Sequence, residues 1–234
     1  MTHGEPPYTL AIEGATYRGS VALLRGPDVV CERTLSGDDG GASRVGRGER
    51  LMPAIAECFA EAGLERGGDE IARIVCGAGP GSFTSLRIAG SVAKGLAVGY
   101  GVPLFAVSSL LLGVSGVKPA LPPGEYLSVL DAMRDEFFAS QIVYRPDAGE
   151  YRAAPVRILS RADLEDFRAR EKVARVVGPA QDIDSYPHAR GVAAVLEDIV
   201  AAGPVDLAAW EPDYGRLAEA QVRWEAVHGR PLPA

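Results

Sequence analysis

The chain has 234 residues, of which 47% are hydrophobic and 24% are charged, as is typical of a globular protein with one large domain or two small lobes. Its formal net charge of −7 at pH 7 argues against a protein that binds nucleic acid by itself, because such proteins usually carry a basic face. The three cysteines lie in apolar contexts without a C-x-x-C pattern. This predicts buried, reduced thiols in a cytoplasmic protein.

One segment could be taken for a secretory leader and another for a membrane span, but the sequence fits neither interpretation. Residues 1–7 are short and polar, unlike a secretory signal. Residues 95–117 carry no charge, but glycines, serines and Pro103 interrupt them. This segment therefore predicts a helix end, a turn and a buried strand instead of a membrane span.

The first half of the chain predicts an α/β layer. Three apolar strands joined by short turns predict an antiparallel meander: 8–13, 19–25 and 29–35. A glycine-rich polar loop over 36–48 precedes a helix, a strand, a helix and a strand: 49–62, 71–76, 84–97 and 104–107. Such alternation favours a sheet covered by helices.

The second half repeats this alternation more loosely. It predicts helices over 108–117, 160–168 and 191–202, and strands over 126–131, 136–144, 151–158 and 173–177. The tail over 212–228 begins irregularly and becomes an amphipathic helix.

A glycine-rich turn between the fourth strand and the second helix is the most distinctive local feature. Gly79, Gly81 and Ser82 are candidates for an anion or phosphate site, because glycine backbone and a helix N-terminus offer N–H groups to an anion. The alternative is a tight turn that packs against another surface. The lysine of a P-loop is missing, Ser82 replaces the last glycine of a dinucleotide fingerprint, and Pro80 stiffens the turn. These features favour the tight turn.

The sequence predicts no catalytic or metal site. Its three histidines, at 3, 188 and 228, form no i, i+4 pair and predict no ligand set. Glu13 and Asp131 lie near predicted strand ends. They either hold a metal through water or pin the adjacent turns by hydrogen bonds, and we favour the second role. Ser82 and Thr84 have no base nearby in sequence and are interpreted as helix caps, not as nucleophiles.

The two helices of the first half carry apolar or small residues beyond a single stripe: Leu51, Met52, Ile55, Ile88, Ala89, Val92 and Ala93. A helix that is apolar on several sides is either buried in the core or docked onto a partner. From the residues alone, both interpretations stay open.

Eight segments along nearly the whole chain resemble the TsaB (YeaZ) family, in the same order. The most specific are GPGSFTSLRI at 79–88, KGLA at 94–97 and PLFAVSSL at 103–110. The others are LAIEGAT at 10–16, SVAL at 20–23, RLMP at 50–53, DAMRDE at 131–136 and EPDYGRLAEA at 211–220. The chain departs from the family pattern at Glu13, where Asp is usual, and at Met133 and Asp135, where Arg and Gly are usual.

The resemblance implies an α/β fold of the two-lobed actin-like, Hsp70-like (ASKHA) type, with mixed sheets flanked by helices. We accordingly expect an N-terminal lobe over 1–108, with the helix at 212–228 packing on it. The C-terminal lobe is then expected over 109–211.

The resemblance also implies a non-catalytic scaffold or activating subunit in the synthesis of N6-threonylcarbamoyladenosine at position 37 of tRNA. Such a subunit pairs with a TsaD-like catalytic subunit, is joined by a TsaE-like ATPase, and reaches tRNA only through the complex. ATP and metal then belong to the partner subunits, and no cofactor of its own is expected. A homodimer through the same helical surface is compatible with this role. The resemblance therefore favours a partner interface for the seven helix residues named above.

Two other functions remain as alternatives. One is a divergent enzyme of the same fold, kinase-like or peptidase-like. The other is a self-associating protein without a TsaD-like partner.

Overall fold

The N-terminal part of the chain forms a five-stranded sheet in this computed structural model, which describes residues 8–35, 50–64, 70–145, 150–171, 175–216 and 227–229. The strands are β1 Tyr8–Glu13, β2 Ser20–Arg25, β3 Asp28–Thr34, β4 Ile71–Gly77 and β5 Leu104–Val107, in the order β3-β2-β1-β4-β5. The first three strands pair antiparallel, whereas β1, β4 and β5 run parallel to one another. The predicted meander and mixed sheet are confirmed. The predicted loop at 36–48 lies outside the described residues.

Two helices belong to this sheet: α1 Leu51–Glu61 and α2 Phe83–Tyr100. Helix α2 was predicted to end at residue 97, but it continues to Tyr100 and ends at Gly101. Gly101 has a φ of 67°, and such left-handed backbone is inexpensive only for glycine. None of the described helices is both long and apolar enough to cross a membrane.

The following part of the chain forms a second mixed sheet. Its strands are β6 Gly124–Asp131, β7 Glu136–Arg145, β8 Glu150–Ala153, β9 Arg157–Ser160, β10 Arg175–Gly178 and β11 Ile183–Asp184, in the order β11-β10-β6-β7-β8, with β9 also paired to β7. Its helical segments are α3 Ser109–Ser115, α4 Arg161–Glu171, a 3-10 helix Ala189–Ala194 and α5 Leu196–Ala202.

Two predicted elements of this part differ in the structure. The single strand predicted over 151–158 is divided into β8 and β9, which pair with opposite halves of β7. Pro155 lies between them and cannot donate a ladder hydrogen bond. The helix predicted over 191–202 breaks at Val195, where φ is −131°, and β11 was not predicted. Of the predicted C-terminal helix, residues 217–226 lie outside the described part, and 211–216 are irregular.

The first sheet is covered on both faces, which explains why β1 is buried along its whole length. One face packs on α1 and α2 through a core that includes Leu10, Ile12, Ile55 and Ala93. The other face packs on α3, the 3-10 helix and α5 through a core that includes Ala11, Val75, Leu112, Val192 and Ile199. Helices on both faces of a mixed sheet confirm the predicted α/β class.

Candidate functional site

The glycine-rich turn at 77–82 connects β4 to α2 and packs directly on two distant backbone segments. A Cβ atom on Gly79 would lie 2.1 Å from the carbonyl oxygen of Asp213, and one on Gly81 would lie 2.2 Å from that of Ala15. Gly79 also has a φ of 92°, a left-handed conformation that disfavours a side chain. The glycines are therefore required where the turn touches its own chain.

Hydrogen bonds within the chain engage three of the N–H groups of this turn. The N–H of Ala78 donates to the carbonyl of Val107 and that of Ser82 donates to the carbonyl of Ala15, both at 2.7 Å. The N–H of Gly79 donates to the hydroxyl of Ser109 at 3.1 Å. An anion at Gly79 or Ser82 would have to replace these bonds, so the contacts favour the tight turn over the anion site.

The predicted side-chain cap at the start of α2 differs in the structure. Ser82 occupies the N-cap position with extended backbone. Its hydroxyl, however, accepts from the hydroxyl of Ser85 at 3.1 Å instead of from a helix N–H. Ser82 thus marks the helix start through its backbone, which donates to Ala15.

Glu13, at the end of β1, lies buried beneath the glycine turn. Its carboxylate accepts from the N–H of Ala15 at 2.5 Å and from the hydroxyl of Ser109 at 2.9 Å. Burial raises the pKa of Glu13 to about 7, and hydrogen bonds from Ala15, Ser109 and Gly14 partly oppose that rise. A Cβ on Gly77 would lie 2.0 Å from Oε2 of Glu13, so Gly77 makes room for the carboxylate.

These contacts support the pinning role of the two acidic residues over a metal-holding role. Ser109 joins Glu13 to Gly79, which ties β1 to the glycine turn and α3. Asp131 accepts from the N–H of Met133 at 2.7 Å and so pins the turn between β6 and β7. Within the described ranges, no three His, Cys, Asp or Glu side chains are grouped as a metal site requires.

The structure divides the seven predicted interface residues into two groups. Leu51, Ile55, Ala89 and Ala93 are at most 3% exposed and belong to the core between α1, α2 and the sheet. The interface interpretation is corrected for these four, because the chain itself already covers them.

The remaining three residues reach the surface. Met52 is 47% exposed, and Ile88 and Val92 are partly buried against the core. Leu51, Ile88 and Ala89 line a depression that is open beside the turn between β1 and β2. Both helices therefore carry accessible apolar residues, and we call Met52, Ile88 and Val92 together the helix face.

Sequence reasoning expected the segment at 212–228 to pack on this part of the chain but did not identify the contacts that cover the other side of α2. Trp210 and Pro212 lie against Gly90, and Lys94 donates to the carbonyl of Trp210 at 2.7 Å. The N–H of Asp213 also donates to Ala78 at 2.7 Å. Gly90, in the middle of a helix, was a signal in the sequence for a close neighbour.

A polar cluster that the sequence did not predict joins β3 to the second half of the chain. Glu32 accepts from Lys118 at 2.8 Å and from Arg190 at 2.6 Å, and His188 bonds to Thr34 at 3.1 Å. Burial, together with the charge of Arg190, lowers the pKa of His188 to about 4, although the charge of Glu32 partly opposes the fall. His188 is thus a neutral structural residue at neutral pH.

Comparisons with known proteins match this chain to a TsaD family model and to relatives named TsaB. The profile described as "TsaD: tRNA N6-adenosine threonylcarbamoyltransferase" matches residues 46–174, which is more than half of the chain. A protein named TsaB from Haemophilus influenzae is 32% identical over 61% of this chain, and TsaB from Bacillus subtilis is 25% identical over 92%. The chain belongs to the TsaB/YeaZ family. Its match spans 58% of the length of the Haemophilus protein and 96% of the Bacillus protein.

The fold of the family is also that of this chain. YeaZ from Pseudomonas aeruginosa superposes with a TM-score of 0.67 at 24% identity, covering 88% of this chain and 99% of that structure. The two mixed sheets flanked by helices therefore form the two-lobed ASKHA-type fold expected of a TsaB/YeaZ protein. The exact boundaries of the lobes stay a prediction.

Proposed function

We propose that this protein is a non-catalytic subunit in the synthesis of tRNA threonylcarbamoyladenosine. The curated relatives with the TsaB name are described as tRNA threonylcarbamoyladenosine biosynthesis proteins, and one of them matches 92% of this chain. The polar groups at the glycine turn are buried and hydrogen-bonded within the chain, which supports a non-catalytic role. Glu13 is 1% exposed, and its carboxylate is bonded to Ser109 and Ala15.

The protein acts in this proposal by pairing with a TsaD-like catalytic subunit through the helix face. The observation that carries it is the accessibility of three apolar side chains on α1 and α2. Met52 is 47% exposed, and Ile88 and Val92 are only partly buried against the core. Accessible apolar residues above a rigid core suit a docking surface, because little ordering is needed on binding. ATP, metal and a TsaE-like ATPase belong to the partner subunits, and tRNA contacts this chain only within the complex.

Co-expression with a TsaD-like protein tests the proposal directly. We expect the two chains to co-purify as a stable heterodimer and to support tRNA modification once a TsaE-like ATPase is added. Recovery of homodimers alone would favour the self-associating alternative. Nucleotide turnover by the isolated chain that is lost on Glu13→Ala would favour the enzyme alternative.

A charge on the helix face should break this pairing without unfolding the chain. Met52→Glu places a carboxylate at a site that is 47% exposed in the single chain. We expect about 30-fold weaker pairing, because docking would bury that charge. Titration calorimetry or a pull-down series measures the change.

Val98→Glu is the matched control. Val98 is 70% exposed and lies on another side of α2 from Ile88 and Val92, given the helical period. Its substitution adds the same charge and should leave pairing unchanged. Equal weakening by the two variants would contradict the helix face as the binding surface.

A further inference from the structure

Two of the three cysteines are adjacent in space although they are distant in sequence. Sγ of Cys31, on β3, lies 2.8 Å from Sγ of Cys58, on α1. Both side chains are buried, with 4% and 0% exposure, and both are free thiols. A disulfide has an S–S length of about 2.05 Å, so the sulfur atoms need to approach by only about 0.8 Å to bond.

Ion pairs beside the two thiols hold β3 and α1 in a fixed relative position. Arg33 on β3 forms ion pairs with Glu57 and Glu61, one turn apart on α1. The guanidinium of Arg33 also contacts Sγ of Cys31 at 3.2 Å. The thiols are therefore placed by the packing of β3 on α1 and by a charged clamp beside them.

We propose that Cys31 and Cys58 form a reversible disulfide that ties β3 to α1 when the protein meets a peroxide. The inference goes beyond the proposed function and does not depend on it. The reduced dithiol is the resting form, and the oxidised form fixes the C-terminal half of α1 to the edge of the sheet.

The chemistry balances with hydrogen peroxide as the oxidant. The thiolate of Cys31, which has the contact with Arg33 and the greater exposure, attacks one peroxide oxygen and displaces hydroxide, which leaves as water after taking a proton. The thiolate of Cys58 then attacks the sulfenic sulfur of Cys31 and displaces the hydroxyl group as a second water. Two thiols and one peroxide thus give one disulfide and two waters.

Burial of Cys31 and Cys58 slows the reaction with peroxide and favours the disulfide over further oxidation. It raises the pKa of both thiols, although the charge of Arg33 opposes the rise at Cys31. The reaction should accelerate as pH rises, because more thiolate is present. Once Cys31 is oxidised, the nearby Cys58 captures it before further oxidation.

Peptide mapping of the full chain after peroxide treatment tests the proposal. Trypsin places the three cysteines in separate peptides, 26–33, 51–66 and 74–87. We expect a peptide pair linked through Cys31 and Cys58, lighter by two hydrogen atoms than the reduced pair and separated by reductant. Cys31→Ser and Cys58→Ser should lose the link, whereas the matched control Cys76→Ser should keep it.

A second measurement on the unaltered chain does not depend on any variant folding. Because the bond would join residues 27 positions apart, it should raise the thermal unfolding midpoint by about 5–10 °C. Sulfinic acid on unlinked cysteines, a link that involves Cys76, a link between two chains, or an unchanged or lower midpoint would each overturn the proposal.

Discussion

Two connections of the chain reverse its direction sharply by opposite means. The turn between β4 and α2 uses Gly77, Gly79 and Gly81, is largely enclosed, and bonds to backbone from distant parts of the chain. The turn between β6 and β7 uses three consecutive non-glycine residues, Met133, Arg134 and Asp135, with φ values of 65°, 58° and 60°. Its Met133 is 69% exposed.

The difference shows that steric contact with neighbouring backbone requires glycine in the enclosed turn more than the backbone angle does. The backbone of Gly81 is not left-handed, yet an added Cβ would meet the backbone of Ala15. At Met133 the φ is positive, yet the exposed side chain has room and the residue is tolerated. Steric contact with fixed backbone costs more than a left-handed conformation, whose strain is about 1–2 kcal/mol per residue.

The largest expected effect is at the enclosed turn. Gly81→Ala would place Cβ 2.2 Å from the carbonyl oxygen of Ala15, and backbone on both sides must shift to relieve the clash. We expect the free energy of unfolding to fall by about 3 kcal/mol or more. Urea unfolding followed by circular dichroism measures the loss.

Gly95→Ala serves as the control in the same region. Gly95 lies within α2, and an added Cβ there meets open space among the described residues. Alanine should therefore stabilise the helix by about 0.5–1 kcal/mol. If Gly81→Ala were as well tolerated as Gly95→Ala, the close packing of the turn would be refuted.

The next effect concerns the carboxylate beneath the enclosed turn. Burial raises the pKa of Glu13 in the folded protein to about 7 from an ordinary 4.5, so the folded state holds the proton more tightly than the unfolded chain. Below the lower value both states are protonated and no penalty exists. As pH rises to about 7 the unfolded chain loses its proton first, and the folded protein is destabilised by an amount on the order of 3 kcal/mol, which persists at higher pH.

Glu13→Gln isolates this contribution from other titrating groups. Glutamine keeps the shape of the side chain but does not titrate. We expect the stability of the wild-type chain to fall relative to this variant as pH rises from about 4.5 to about 7. Urea midpoints of both proteins across that window measure it. A difference that stays constant with pH would show that Glu13 does not change protonation there.

The sequence predicted the position of the enclosed turn and favoured a tight turn over an anion site, but it could not identify the residues on which the turn packs. An apolar run followed by glycines and a small-residue helix was sufficient to place β4, the turn and α2. The partners that decide between an anion site and a packing turn, Ala15 and Asp213, lie far from the turn along the chain. Local pattern carries no information about such contacts, so the residues that support the tight turn were identified only from the fold.

The helix face is a second example of contacts that the sequence pattern could not predict. Helical spacing correctly identified apolar residues on α1 and α2, but it could not separate Ala89 and Ala93, which contact the sheet, from Ile88 and Val92, one position away. The separation depends on which side of α2 meets the sheet and which meets the segment at Trp210 and Pro212. The exposed turn after β6 was not recognised as left-handed because none of its residues is glycine.

The smallest expected effect is at the exposed turn between β6 and β7, and it tests whether the left-handed backbone there is strained. Met133→Gly removes the strain of a positive φ at 65° and leaves the N–H that donates to Asp131 in place. The relief exceeds the added entropy of a glycine in the unfolded chain, so we expect a gain of about 0.5–1 kcal/mol. Met133→Ala is the control, because it shortens the exposed side chain but keeps the strain, and its stability should match that of the wild type. Should alanine stabilise the chain as much as glycine does, the gain would come from removing an exposed apolar side chain, and the left-handed backbone of this turn would be free of strain.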